Sequence, residues 1–233
     1  MSARDLLGLA LSYLFAFGLL GAMEFAQRRW SWPRHLTRKV IHLAAGTWVI
    51  GVVSIFEHWW WGLLPSASFI VLNYLFYRRR TFQAMDPPEA AAPGTVYFAL
   101  SVTLVLAAFW PQGWPGLAVA ALMPVTWGDG LAAIVGHGWG RHRYRIVHGL
   151  SAGRESEERS WEGSAAMFLG SLVATWGALQ LFGLASLREG ALWSLIVALS
   201  ATPVEAISPR GTDNLTIPFL AALLLYLLIP ASR

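Results

Sequence analysis

Eight apolar runs divide this chain, at about 6–26, 40–56, 59–77, 95–110, 116–135, 164–184, 191–207 and 215–230, with polar stretches between them. Apolar runs of roughly 17–25 residues read as membrane-spanning helices, because only a backbone whose hydrogen bonds close internally can cross lipid. The pattern therefore predicts an all-α fold, a polytopic membrane helical bundle of about eight transmembrane helices. The fourth and eighth runs are short, so seven or nine spans also fit. The first run is long for a signal-peptide core and no convincing small-residue cleavage site follows it, which predicts a retained helix. No clear internal repeat or low-complexity linker interrupts the pattern. The expectation is one integral membrane domain over 1–233, with a larger cytoplasmic loop at about 136–163.

Charge sorts along the same pattern. The segments 27–39, 78–94, 136–163 and 208–214 hold 5, 3, 5 and 1 of the 17 Arg and Lys, leaving only Arg4, Arg188 and Arg233 on the other side. The positive-inside rule then places those four loops in the cytoplasm and both termini on the non-cytoplasmic side. Trp59, Trp60, Trp61, Trp110 and Trp114 fall where aromatics of the opposite interface are expected. Composition agrees: 56% hydrophobic residues, 13% charged residues and a mean hydropathy of +0.50 are too apolar for a soluble domain. The chain has no cysteine, which excludes disulfides and thiolate metal sites. A pI near 9.8 would suit a nucleic-acid partner. The anionic cytoplasmic leaflet explains the basic loops better, and no nucleic-acid motif accompanies them.

The polar residues that remain gather at the cytoplasmic ends of the helices. Between Gly116 and Val135 the only charged residue is Asp129, and an ionisable group inside a span is functional by default. Arg38, Lys39 and His42 open the second helix, and Asn73 lies near the end of the third. Arg159, Ser160 and Glu162 open the sixth; Glu205 ends the seventh; Asp213 and Asn214 open the eighth. Four carboxylates, Asp129, Glu162, Glu205 and Asp213, thus reach similar depth from four segments. Such hard oxygen ligands suit Mg²⁺, which takes a few carboxylates and completes its shell with water and substrate phosphates. Arg38, Lys39, Arg159 and Arg210 are candidate phosphate ligands, by fork geometry for Arg and as a point charge for Lys. Helix N-termini at the same level add backbone donors for an anion. Together they describe a nucleotide–metal site that a lipid reaches from the side.

Plainer readings stand beside these. Arg38 and Lys39 also serve as positive-inside anchors, although Lys39 is the sole lysine among the 17 basic residues. His42 is equally a hydrogen-bonded helix residue, and Glu162 and Asp213 stand where helix caps are common. Pro124 and Pro203 precede Asp129 and Glu205 and are placed to break their helices, freeing carbonyls for water or metal. Gly128–Ala133 formally fits a G-x-G-x-x-A pattern but follows no strand, and no P-loop is present. Gly136, Gly138 and Gly140 suggest a flexible basic turn able to wrap a phosphate. Glu155–Glu158 reads as a solvated loop, and His137, His142 and His148 as facing water or headgroups.

Five strings carry a resemblance across most of the chain: RKVIHLAAG at 38–46, PGTVYF at 93–98, GDGLAAIVG at 128–136, RSWEGS at 159–164 and VEAISPRGTDNLTIP at 204–218. In this order they resemble the membrane family of dolichol kinase, phytol kinase and CTP-dependent diacylglycerol kinase, which is related to phosphatidate cytidylyltransferase. The short length is similar to the phytol-kinase-like members. The resemblance implies transfer of the γ-phosphoryl group of CTP to a membrane lipid alcohol, most of all an isoprenoid alcohol. It implies Asp129 as leading Mg²⁺ ligand or base, with Glu162, Glu205 and Asp213 completing the metal site. Lys39, His42 and Glu162 join Asp129 as catalytic candidates; Arg38, Lys39, Asn73, Arg159, Ser160, Arg210 and Asn214 are the nucleotide and phosphate candidates. Arg159 departs from the lysine usual in the family, so a planar fork replaces a point charge. The expected location is the inner or plasma membrane of a prokaryote, with the site facing the cytoplasm and membrane lipids around it. Two rivals share the side-chain inventory. A cytidylyltransferase needs the same nucleotide and metal, while a transporter usually puts its ionisable groups near the bilayer midplane within inverted repeats.

Overall fold

The computed structural model describes residues 1–82, 84, 94–148, 155–209 and 211–229. Helices dominate it: α1 Ala3–Trp30, α2 Arg34–Ile55, α3 Trp59–Arg79, α4 Gly94–Phe109, α5 Pro115–Met123, α6 Asp129–Trp139, α7 Trp161–Leu181, α8 Leu187–Ile207 and α9 Asp213–Leu228. A single π-helical turn, Pro124–Gly128, joins α5 to α6 in one continuous rod. Among the described residues eight rods result, and they coincide with the eight apolar runs. Six of them are long and apolar enough to cross a membrane: Ala3–Trp30, Arg34–Ile55, Gly94–Gln112, Pro115–Trp139, Trp161–Leu181 and Leu187–Ile207.

The helices overrun the apolar pattern at their charged ends. The segment 27–39, expected as a loop, is mostly helix, with only Ser31–Pro33 between α1 and α2. Apolarity marks what lipid or core requires, whereas arginine is itself a good helix former and prolongs the helix into polar surroundings. The segment 136–163 also departs from expectation. It contains the last turn of α6, then an antiparallel hairpin of β1 Arg143–His148 and β2 Glu155–Ser160, so among the described residues the fold is all-α with one two-stranded ribbon.

The core is built on α5. Every residue from Leu117 to Leu122 is fully buried, and α2, α4, α7 and α9 pack around this helix. Small residues permit that closeness: a Cβ at Gly116 would come 2.7 Å from Phe182 Cγ. Outward-facing side chains such as Leu14, Val173, Leu199 and Leu227 are exposed and apolar, as a bundle surface facing lipid requires. Capping boxes start α1 at Ser2 and Asp5 and α8 at Ser186 and Glu189. At the end of the bundle where α2 finishes, buried Asp5 accepts from the backbone N–H groups of Ser2, Glu57 and His58, and its Oδ2 lies 2.7 Å from His58 Nδ1. This network ties the start of α1 to the α2–α3 turn.

Candidate functional site

Asp129 is the first residue of α6, directly after the π-helical turn. Pro124 has no N–H to give the helix and its ring crowds the preceding turn, which is a recurrent cause of a local change in helical pitch. The carbonyl of Val125 is turned to a side chain: His42 Nε2 lies 2.7 Å from it and, a carbonyl being acceptor only, donates. That assigns a proton to Nε2; in the neutral ring Nδ1 is then the acceptor. Lys39 stands one turn before His42 on α2, the spacing that puts two side chains on one helix face. Its Nζ donates to Asp129 Oδ2 at 2.6 Å, with the Lys39 and Asp129 side chains only 10% and 4% exposed. His42 Nε2 lies 3.6 Å from the same oxygen, and its ring packs 4.2 Å from that of Phe98. The approach of α2 depends on Gly46, where a Cβ would overlap the side chain of Thr126.

A second charged group faces the first. Arg159, near the end of β2, donates from Nη1 to Glu205 Oε1 on α8 at 2.9 Å and from Nη2 to Glu157 Oε2 at 3.1 Å. Burial works against the guanidinium charge, but the carboxylates of Glu205, Glu157, Asp213 and Asp129 outweigh it and hold its pKa above the ordinary arginine value. Asp213 and Asn214 begin α9, with Asp213 Oδ1 accepting from the Asn214 backbone N–H at 2.8 Å and from its Nδ2 at 3.0 Å. Gly211, at φ 80°, turns the chain into α9 with its would-be Cβ 3.4 Å from the Cα of Gly94, so the starts of α9 and α4 meet. Asn73 Nδ2 donates to the carbonyl of Thr95 at 3.0 Å and closes the ring from α3.

These groups surround one cavity of about 430 Å³. Its polar end is lined by Arg38, Lys39, His42, Asn73, Thr95, Asp129, Glu157, Arg159, Asp213 and Asn214; its remainder is an apolar slot between α1, α2, α3 and α4. Four buried side-chain polar atoms lack a partner among the described residues, and two of them, Arg159 Nε and Asn214 Oδ1, belong to side chains lining the polar end. An unpaired buried donor and acceptor are costly unless a ligand meets them.

Of the residues singled out from the sequence, Arg38, Lys39, His42, Asn73, Asp129, Arg159, Asp213 and Asn214 line this cavity, and Glu205 reaches it through Arg159. Glu162 and Ser160 are not brought to it. Glu162 Oε1 lies 2.7 Å from His142 Nδ1 and accepts from the His142 backbone N–H, which locks the hairpin to α7. Ser160 is the N-cap of α7, its Oγ accepting from Gly163 N–H at 3.1 Å. Arg210 lies outside the described residues.

Glu157 lines the cavity although its run of acids reads as a solvated loop. The missed signal is strand alternation: in β2, Glu157 and Arg159 share one face, while Glu158 on the other pairs with Arg143 and Arg145. Among the described residues, the one group of three carboxylate or imidazole ligand atoms within 4.8 Å of one another is Asp5, Glu57 and His58, at the far end of the bundle.

No family model and no solved structure matches the chain. It is similar to the phytol kinase of Synechocystis sp. (strain ATCC 27184 / PCC 6803 / Kazusa), 32% identical over 218 residues that cover 93% of this chain and 88% of that one. It is also similar to a probable chloroplastic phytol kinase 1 of Oryza sativa subsp. japonica, 27% identical over 97% of this chain and 74% of that one. A chloroplastic farnesol kinase of Arabidopsis thaliana is 23% identical over 96% of this chain and 75% of its own.

Proposed function

The chain belongs to the phytol kinase family, and from that premise we propose that it transfers the γ-phosphoryl group of CTP to the hydroxyl of an isoprenoid alcohol. The observation that carries the reading is the two-part cavity: a buried polar end of paired acids and bases opens onto an apolar slot. A single-chain alcohol suits it, since about 430 Å³ lies toward the low end of the roughly 300–1,000 Å³ of ordinary ligand clefts. The relatives' names, phytol kinase and farnesol kinase, point to the same acceptor class.

In this reading the alcohol oxygen attacks the γ-phosphorus, the new O–P bond forms, the bond to the β–γ bridging oxygen breaks, and CDP leaves. Phosphoryl transfer asks for position and charge stabilisation more than covalent help. Asp129 is the group placed where polar end meets slot, and takes the hydroxyl proton as transfer proceeds. Lys39 holds that carboxylate in place and, with Arg38, faces the phosphates. Arg159 offers its unpaired Nε as a further phosphate donor. His42, fixed through Val125, sits beside the reacting hydroxyl. Asp129, Glu205 and Asp213 form no closed cage, which fits Mg²⁺ held by one or two carboxylates and otherwise by phosphates and water. Bound there, Mg²⁺ supplies charge neutralisation on the triphosphate.

The eight rods serve in this reading as eight spans, with both termini outside and the basic connections inside. The membrane is then the inner or plasma membrane of a prokaryote, and the polar end of the cavity faces the cytoplasm. The test uses purified protein, Mg²⁺ and CTP labelled at the α- or γ-phosphate, with isoprenoid alcohols, diacylglycerol and phosphatidate as acceptors. γ-Label on an isoprenoid alcohol with release of CDP is expected. α-Label on phosphatidate with release of pyrophosphate would replace the kinase by a cytidylyltransferase.

A further inference from the structure

Taken from the residues around Asp129 at its polar end to its apolar far end, the cavity has a measurable length. On α2 its lining runs from Lys39 to Val52, on α3 from Asn73 to Gly62, and on α4 from Thr95 to Leu106. At about 1.5 Å per helical residue, these 13, 11 and 11 steps give about 20, 17 and 17 Å. Three helices therefore agree on depth. The fourth wall is α1, which contributes Leu20, Leu19, Ala16, Phe15 and Ser12. The few hydroxyls along the slot are already engaged: Ser12 Oγ accepts from Trp48 Nε1 at 3.1 Å, and Ser66 Oγ donates to the Leu63 carbonyl at 3.1 Å. The Phe15 and Trp48 rings stack with centroids 4.7 Å apart. Nothing in the slot asks for a polar tail.

The far end is filled by rings. A Cβ on Gly62 would overlap the ring of Trp110 and come 3.4 Å from Phe56 Cγ. The Phe56 ring is itself pressed onto Gly8, where a Cβ would lie 2.6 Å from Cε2. Phe56 is buried, at 5% exposure, and is the C-cap that follows α2. The two rings pack behind the narrowest possible residue, Gly62.

An isoprene unit adds four main-chain carbons, and a zigzag of bonds near 1.5 Å advances about 1.25 Å per carbon, so each unit needs about 5 Å. A cavity about 17–20 Å deep, measured from its polar end, then takes three to four units with the hydroxyl at Asp129. We propose that Phe56 and Trp110, packed behind Gly62, form an end wall that limits the alcohol to about four isoprene units. The proposal rests on the kinase reading for what the slot holds. The wall sets the length, and the polar end sets the chemistry.

The test measures two profiles on wild-type protein, Val52→Phe and Phe56→Leu, using geraniol, farnesol, geranylgeraniol, phytol, geranylfarnesol and solanesol. One profile is kcat/KM for phosphoryl transfer from CTP. The other is binding of each alcohol without nucleotide, read by native mass spectrometry from detergent micelles. Wild type should favour three and four units and lose tenfold or more in both profiles at five. Val52→Phe, which fills the floor, should move the optimum down by one unit, and Phe56→Leu should admit the five-unit alcohol. If Phe56→Leu does not fold, the downward shift in Val52→Phe decides alone. Equal handling of four and nine units by wild type, or a profile unmoved in folded Val52→Phe, overturns the wall. So does binding to none of the alcohols. A length cut-off in binding with no transfer to any alcohol leaves the wall standing and sinks the kinase; transfer without a cut-off does the reverse.

Discussion

Replacing Lys39 by Met tests the centre of the polar end. The ammonium lies 2.6 Å from Asp129 Oδ2, and both side chains are almost wholly buried. Removing one partner of such a pair leaves an uncompensated charge, at a cost of roughly 3–5 kcal/mol. The cavity admits water to the orphaned carboxylate, so the lower figure applies, about 3 kcal/mol. For a chain of this size that lowers Tm by roughly 6–12 °C. The double variant Lys39→Met/Asp129→Leu removes both charges and should regain most of the loss, since an apolar pair of similar volume is often as stable as a buried ion pair. Asp129→Asn should cost less than Lys39→Met, because the amide oxygen still accepts from Nζ. Thermal unfolding in detergent, followed by tryptophan fluorescence, reads stability; transfer of label from γ-labelled CTP reads activity. All three variants should lose turnover while their melting temperatures differ in the stated order. A folded Asp129→Asn protein with near-normal turnover would remove that residue from the reaction. An unchanged Tm in Lys39→Met would refute the buried-pair argument.

Two further outcomes separate chemistry from scaffolding. Glu162→Gln should keep turnover within a few-fold and loosen the hairpin, seen as faster amide hydrogen exchange over 141–146, because its carboxylate holds His142 and not the cavity; a complete loss of turnover with unchanged exchange would return Glu162 to the reaction. Arg159→Lys keeps the charge but cannot reach Glu205, Glu157 and a phosphate at once. It should raise KM for the nucleotide tenfold or more in initial-rate measurements, and an unchanged KM would show that the fork is dispensable.

The eight rods were legible in the sequence because each is an unbroken apolar stretch, and six of them meet the length and apolarity that crossing lipid requires. The buried carboxylate was legible for the complementary reason: Asp129 stands alone in an apolar run, where charge is expensive. The helix ends were less so, since α1 and α2 continue through arginines that hydropathy reads as loop. The hairpin is hidden in the sequence because its alternation, Glu157 and Arg159 on one face and Glu158 on the other, lies in a run that looks simply acidic.

By itself the sequence determined that Asp129 carries charge into an apolar helix, that the bundle is helical, and that a set of acids and bases collects at one end of it. Only the tertiary structure decided which of them meet. Lys39 and Asp129 are 90 residues apart and Arg159 and Glu205 are 46 apart, and no local pattern encodes either pairing. Glu162 and Asp213 look alike in sequence, each an acid near a helix start. One locks a hairpin and the other lines a cavity, because helix packing set by Gly46, Gly116 and the small residues of α5 fixes which helix ends converge. The depth of the apolar slot follows from the same packing, since it is the space that four helices leave between them and two rings close.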